Sequence, residues 1–212
     1  MFVQTRQRVA PGLRRGAHRL IACALAGAAC ILAAFPLAAH TQSGSARNLE
    51  QKPRPAVSAV RLEKTIHDLV NRERRAHGLK TLAWDAPLAA VARGHSGDMA
   101  RRTYFSHDSP EGDGFERRYR KGHYRCALRT GNIIHLGAEN LARGNLYASV
   151  TTLNGISYYD WNSEQKIARA TVAGWMASPG HRANILTPYW KHEGIGVAVA
   201  PDQKVYVTQN FC

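Results

Sequence analysis

Three polar stretches of the chain contain the residue types that could do chemistry. They are Phe105–Asp108, Gly137–Leu141 and Ser178–Leu186. Each contains or adjoins turn-forming residues, and each includes a histidine or a carboxylate, the groups that move protons or bind transition metals. Spacing along the chain does not show whether the three stretches converge. That depends on the helices and strands that lie between them.

Helical periodicity predicts three main helices. Apolar residues recur at helical spacing from Val57 until Gly78, and a second helix follows Asp85 as its N-cap. A third helix follows Ser163 and ends at Ser178-Pro179-Gly180, while a short basic helix is predicted at 115–121.

Strand patterns concentrate in the second half of the chain. Residues 126–136 have the composition of a strand, and 142–162 are predicted to be a loop with a short hairpin around Asn154-Gly155. Residues 194–200 and 205–211 alternate as the two strands of a hairpin. Helices first and strands last predict an α+β domain.

The first 39 residues have the pattern of an export signal. Five arginines precede an apolar run from Leu20 to Ala39, and the segment contains no acidic residue. We expect a signal peptide at 1–39, a polar flexible linker at 40–56 and a domain at 57–212. An uncleaved membrane anchor is the alternative, because the run is about long enough to span a bilayer. Either way the domain is expected outside the cytoplasm, in the periplasm or secreted.

The composition is basic, with 29 Lys and Arg against 15 Asp and Glu and a net charge of +14. Without the expected signal peptide, 24 basic residues remain against 15 acidic ones, a net charge of +9. Such a charge attracts anionic lipids or acidic cell-envelope polymers, although a solvated basic surface without a partner is an equal interpretation. The arginines are dispersed and the chain is exported, so nucleic acid is not expected as a partner. A monomer is assumed.

The cysteines predict one disulfide bond. Cys23 and Cys30 lie in the expected signal peptide, which leaves Cys126 and Cys212 in the mature chain. Two thiols in an oxidising compartment favour a disulfide that fixes the C-terminus. A metal pair is less favoured, because neither cysteine has a close Cys or His at the spacing of metal ligands.

The three polar stretches and two later motifs, Gly194–Val197 and Tyr206–Phe211, together resemble the CAP superfamily. This superfamily comprises SCP-like or cysteine-rich secretory, antigen 5 and pathogenesis-related 1 proteins, and the match is with its bacterial type. The five motifs occur in the family's order and span about residues 62–211. The resemblance implies a three-layer α-β-α sandwich with a central antiparallel sheet and a surface cleft.

The resemblance also implies that His107, Glu139 and His181 line that cleft, and in some family members such a trio holds a divalent metal. Many eukaryotic members carry a second Glu where this chain has Ser178. The residues expected to support the cleft are Asn140, Ser178, Arg182 and Asn184.

Two imidazoles and one carboxylate are sufficient to bind Zn²⁺ with a water as fourth ligand, and that water could serve hydrolysis. The alternative is a hydrogen-bonded cluster that ties loops to the sheet. A zinc-protease HExxH motif is absent, and the neighbouring Ser106, His107 and Asp108 point in different directions, which argues against a catalytic triad.

The sequence therefore predicts a secreted CAP-domain protein that binds a lipid, a cell-envelope component or a host surface through its His/Glu/His cleft. The alternative is a divalent-metal-dependent hydrolase, such as a peptidase, that uses the same cleft. No catalytic residue is assigned, and zinc is the one cofactor considered.

Overall fold

The computed structural model describes residues 50–212, so the expected signal peptide and residues 40–49 of the expected linker lie outside the described part. The helices in this part are α1 (Ala59–Ala76), α2 (Ala86–Arg102), α3 (Phe115–Lys121), α4 (Glu164–Ala177) and α5 (Pro179–Leu186). The strands are β1 (Ala83–Trp84), β2 (Leu128–Thr130), β3 (Ile133–His135), β4 (Ala138–Asn145), β5 (Tyr147–Leu153), β6 (Ile156–Trp161), β7 (His192–Val199) and β8 (Lys204–Phe211). No helix within residues 50–212 is both long and apolar enough to cross a bilayer.

A four-stranded sheet in the order β1-β7-β8-β4 lies at the centre. The predicted terminal hairpin is β7–β8, and β4 runs antiparallel to β8 with Ala138 opposite Phe211 and Asn145 opposite Lys204. The short β1 pairs with β7 in parallel, so the sheet is mixed at this edge. Helices and a central sheet confirm the predicted α+β class.

The strands alternate their side chains between two helical layers. Val205 and Val207 join Leu62 of α1 and Trp175 of α4 in the larger buried cluster. Tyr206, on the opposite face of β8, packs with Met99 of α2 in a smaller one. The sheet thus lies between α2 and the α1–α4 pair, and residues 50–212 have a core of their own.

Two glycines allow α2 to approach the sheet closely. A Cβ atom added at Gly194 would lie 2.2 Å from the backbone nitrogen of Ala89, and one at Gly196 would lie 2.0 Å from that of Arg93. Both distances are shorter than any real Cβ contact, so any other residue at either position would push α2 away from β7.

One stretch that was predicted to be mostly a loop is regular, and that prediction was wrong. Residues 142–162 contain the end of β4 and the β5–β6 hairpin, although the turn is at Asn154-Gly155 as predicted. Much of this hairpin is exposed on both faces, so it lacks the alternation that marks a half-buried strand. The third helix, α4, ends before Ser178 as predicted, but a further short helix, α5, follows at once, because Pro179 fits the first turn of a helix as readily as it stops one.

The cysteine prediction is confirmed: Cys126 and Cys212 form a disulfide bond. The bond joins the end of β8 to the segment before β2. Residues 126–136, predicted as one strand, form the two-stranded β2–β3 hairpin, with Gly131 at its turn at a φ of 58°.

Candidate functional site

The structure brings His107 and Glu139 together. His107 follows α2 in a loop, Glu139 is the second residue of β4, and Nδ1 of His107 lies 2.9 Å from Oε1 of Glu139. An ionised carboxylate only accepts hydrogen bonds, so Nδ1 carries the proton. Nε2 of His107 is therefore an acceptor in the neutral ring. It makes no hydrogen bond within residues 50–212, although neighbouring protein atoms cover it.

Arg118 of α3 holds the other oxygen of the same carboxylate. Its Nη2 donates to Oε2 of Glu139 at 2.5 Å, and its Nη1 donates to the backbone oxygens of His107 at 2.7 Å and Asp113 at 2.6 Å. Arg118 thus ties the His107 loop to β4. The sequence analysis missed this residue, because nothing distinguishes it from the other basic residues of the short helix.

Glu139 is ionised at neutral pH although it is buried. Burial acts to raise the pKa of Glu139, but the hydrogen bond from His107 and the charge of Arg118 outweigh burial and hold that pKa below its ordinary value. The carboxylate is therefore a fixed negative charge and a poor proton acceptor.

His181 of α5 lies near this pair but is closed to solvent. It is 1% exposed, whereas the His107 side chain is 24% exposed. Burial lowers the pKa of His181, which keeps its ring neutral at neutral pH. The three residues of the predicted cleft are therefore brought into one region, but a ligand from solvent reaches His107 first.

Two of the four expected supporting residues hold this region together. Asn184 donates to the backbone oxygen of Glu139 at 3.2 Å and to Oδ1 of Asn140 at 2.9 Å. Asn140 donates to the backbone oxygen of His181 at 3.1 Å, which links α5 to β4. The other two residues are placed differently. Ser178 precedes α5 without a capping bond from its side chain, and Arg182 is exposed, with Nη2 3.3 Å from His77.

A cavity of about 570 Å³ lies beside the cluster, between α2 and residues 109–122. Arg118 and His95 line it, so the cavity adjoins the site. Side chains of both charges complete the lining, among them Asp98, Arg102, Glu111 and Lys121. His95 is buried, and its Nε2 lies 3.0 Å from the Ser106 carbonyl oxygen.

The residues present do not fit a metal site in this arrangement. Among residues 50–212, no three His, Cys, Asp or Glu side chains are placed to hold one ion. Both oxygens of Glu139 are already bound by His107 and Arg118, and the guanidinium of Arg118 would repel a cation. The metal stays a prediction that these contacts do not support.

A second Glu–His pair, which the sequence analysis missed, lies on the neighbouring part of the sheet. Glu193 of β7 is fully buried, and its Oε1 lies 2.5 Å from Nδ1 of His67 on α1. Gln209 donates to Oε2 at 2.5 Å, and the Asn71 amide lies 3.2 Å from Nε2 of His67.

Comparison with known proteins gives a family match over most of the described chain. A profile of the cysteine-rich secretory protein family, CAP, matches residues 67–211. The chain is 37% identical over 149 residues to the uncharacterised membrane protein YlbC, and 35% identical over 136 residues to the uncharacterised protein YkwD, both of Bacillus subtilis. These matches cover 70% and 63% of this chain but only 34% and 41% of the relatives.

Two solved structures share the fold. An extracellular protein of Bacillus anthracis with an SCP domain superposes with a TM-score of 0.52 at 29% identity, over 74% of this chain and 44% of the other. An outer surface protein of Borrelia burgdorferi superposes with a TM-score of 0.54 at 16% identity, over 75% of this chain and 97% of the other. The chain thus spans less than half of several relatives.

Proposed function

Since the chain belongs to the cysteine-rich secretory protein (CAP) family, we propose that it is an extracytoplasmic binding module whose cleft at His107 takes a cell-envelope ligand. Export is supported by the N-terminal pattern and by the extracellular relative of Bacillus anthracis. This chain covers only part of the longer relatives, so their activities are not attributed to it.

One observation carries this proposal: the His107 ring is held by the buried Glu139 and is partly exposed near a cavity lined by both charges. Nε2 of His107, the ring nitrogen that does not face Glu139, can accept a hydrogen bond from a hydroxyl or amide group of a ligand that displaces the atoms covering it. The acidic and basic side chains of the cavity pair with one another, Arg102 with Asp98 and Glu111, and Lys121 with Asp113. A ligand that carries amino and carboxylate groups can exchange for these partly exposed pairs. Peptidoglycan combines sugar hydroxyls with peptides of both charges, so it is the ligand class that fits best.

Sedimentation with insoluble peptidoglycan tests the proposal. The chain from residue 40 onward is used, because residues 50–212 contain a complete core. We expect the unchanged domain to sediment and His107→Ala to lose about tenfold in affinity, the upper value for one neutral hydrogen bond. The exposed His123→Asn is the matched control. An unchanged domain that stays in solution, or His107→Ala binding as well as His123→Asn, rejects the proposal.

A hydrolase at the same cleft has one observation in its favour. A carboxylate that holds the Nδ1 proton leaves Nε2 able to take a proton from water, which is the arrangement of a general base. Release of soluble fragments from peptidoglycan over time, unaffected by EDTA and lost in His107→Ala, would support this metal-free form. Hydrolytic activity that EDTA removes would instead support a metal-dependent hydrolase.

A further inference from the structure

A separate surface exposes aliphatic and arginine side chains together. It consists of residues 120–136, with the β2–β3 hairpin at its end, and is called the basic hairpin below. Ile133, Ile134 and Leu136 are 61%, 50% and 47% exposed. Grouped aliphatic side chains of this exposure mark an interaction surface more often than isolated ones do.

The charged side chains of the basic hairpin are all positive. No acidic residue occurs between residues 117 and 138, and Arg120, Arg125 and Arg129 are all exposed. Two neighbouring cations are engaged elsewhere, because Lys121 pairs with Asp113 and Arg118 pairs with Glu139. Within residues 50–212, none of the three exposed arginines forms an ion pair with an acidic side chain. Their charge is therefore available to an anionic partner.

The basic hairpin is fixed at its base and bare at its end. The disulfide of Cys126 and the stacking of His135 on Tyr189, with ring centroids 4.1 Å apart, hold it to the domain. Ile133 and Ile134 are consecutive strand residues, so they point to opposite faces, and both are exposed. Among the described residues, β2 and β3 form a separate two-stranded sheet. It therefore needs no ordering before it binds.

We propose that the basic hairpin docks the domain onto an anionic lipid bilayer. Ile133, Ile134 and Leu136 enter the interface between headgroups and acyl chains, while the three arginines bind lipid phosphates. A bilayer surrounds both faces of a hairpin with an apolar layer and covers its base with anions, which a flat protein surface does not. A second copy of this chain is a poorer partner, because two basic surfaces repel each other.

The chain contains a matched control in the β5–β6 hairpin. Val150, Leu153 and Ile156 there are 44%, 51% and 46% exposed, much like the aliphatic residues of the basic hairpin. Residues 147–161 hold no Lys or Arg and one acidic residue, Asp160. The two hairpins leave opposite ends of the central sheet, since β3 leads into Ala138 of β4 and β5 follows Asn145. The control hairpin thus has the exposed aliphatic groups without the charge.

Vesicle sedimentation of the chain from residue 40 onward tests this proposal, and it does not depend on the cleft. The unchanged domain should bind phosphatidylcholine vesicles that contain phosphatidylglycerol, more weakly in high salt, and should not bind phosphatidylcholine alone. Each arginine near an anionic surface is worth about fivefold in affinity, so Arg125→Gln with Arg129→Gln should lose at least about tenfold. Ile133→Ser with Ile134→Ser should lose at least about tenfold too, because two aliphatic side chains no longer enter the interface.

The control variant Leu153→Ser with Ile156→Ser should stay within about twofold of the unchanged domain. All variants are at exposed positions, and thermal unfolding verifies that each is folded. Failure of the unchanged domain to sediment with the anionic vesicles overturns the proposal, as does an equal loss in the control variant. If the unchanged domain is a dimer, and the Ile133/Ile134 variant disrupts that dimer but still binds vesicles, the surface binds a second copy of this chain instead. The same variants should bind peptidoglycan as the unchanged domain does, because that binding is proposed for the cleft and not for the basic hairpin.

Discussion

The central sheet carries two Glu–His pairs that use the same atoms in different surroundings. In each pair a buried glutamate binds Nδ1 of a histidine, Glu139 with His107 and Glu193 with His67. The His67 side chain is 13% exposed and the His107 side chain 24%. The larger difference lies at the second ring nitrogen. Nε2 of His67 accepts from the Asn71 amide, whereas Nε2 of His107 makes no hydrogen bond in the described part of the chain.

The difference shows that a Glu–His pair does not by itself define a functional site. Where both ring nitrogens and both carboxylate oxygens are bound within the protein, as around Glu193, the pair stabilises the fold. At His107 one ring nitrogen keeps its acceptor capacity near a cavity, and the proposed function assigns ligand binding to this pair. The four predictions below separate the two roles, beginning with the largest expected effect.

Removing Glu193 should destabilise the domain most. Burial lowers the pKa of the fully buried Arg74, and the charge of Glu193 offsets part of that effect. Glu193→Ala leaves that guanidinium without its countercharge and the His67 and Gln209 donors unpaired. The free energy of unfolding should fall by about 3 to 5 kcal/mol, as for a broken buried ion pair. Guanidinium chloride unfolding measures the loss, and a loss smaller than that of Glu139→Ala would contradict the comparison.

Replacing Arg118 should affect both stability and binding. Arg118→Met removes the charge-assisted hydrogen bond to Glu139 and two hydrogen bonds to backbone oxygens. The free energy of unfolding should fall by about 2 kcal/mol. The loss is limited because Arg118 borders the cavity and water can replace part of these hydrogen bonds. Peptidoglycan affinity should fall as the His107 loop loosens. Arg118→Lys should not retain the affinity of the unchanged domain, because an ammonium group cannot make the several directed hydrogen bonds of the planar guanidinium. Full binding by either variant would remove Arg118 from the site.

The sequence predicts those parts of the structure that depend on neighbouring residues, such as helix caps and strand alternation. The helices α2 and α4 begin after Asp85 and Ser163, whose side chains accept from the backbone as expected of caps, and β7–β8 shows clear alternation. The family resemblance predicted His107, Glu139 and His181 as cleft residues. Arg118 could not be recognised, because its role depends on α3 approaching β4 in space. The burial of His181 is equally a product of packing.

Acidification should destabilise the domain moderately. Burial lowers the pKa values of His95 and His181, so the unfolded chain binds protons more readily than the folded one. Stability is therefore complete above the unfolded pKa of about 6.5 and falls with decreasing pH, by at most about 1.4 kcal/mol per pH unit for each histidine. Below about pH 4.3 the lowered pKa of Glu139 adds a further loss. Unfolding in denaturant at pH 7.5, 6 and 5 measures the slope. Constant or increasing stability on acidification would show that the buried rings are not held neutral.

His107→Ala should change stability least, by less than about 1 kcal/mol, because water can enter from the exposed side of the ring and Arg118 still neutralises Glu139. His67→Ala should cost about 2 kcal/mol, since it leaves Oε1 of the buried Glu193 unpaired. Circular dichroism during chemical unfolding compares the two variants. Equal losses would mean that both pairs serve the fold.

Peptidoglycan affinity and unfolding free energy, both measured on His107→Ala and His67→Ala, test most directly whether the two pairs have different roles. The expected result is crossed: His107→Ala loses binding and keeps its stability, whereas His67→Ala loses stability and, while folded, binds as the unchanged domain does. Binding that survives in His107→Ala, or that falls equally in both variants, would contradict a ligand site at the His107 pair.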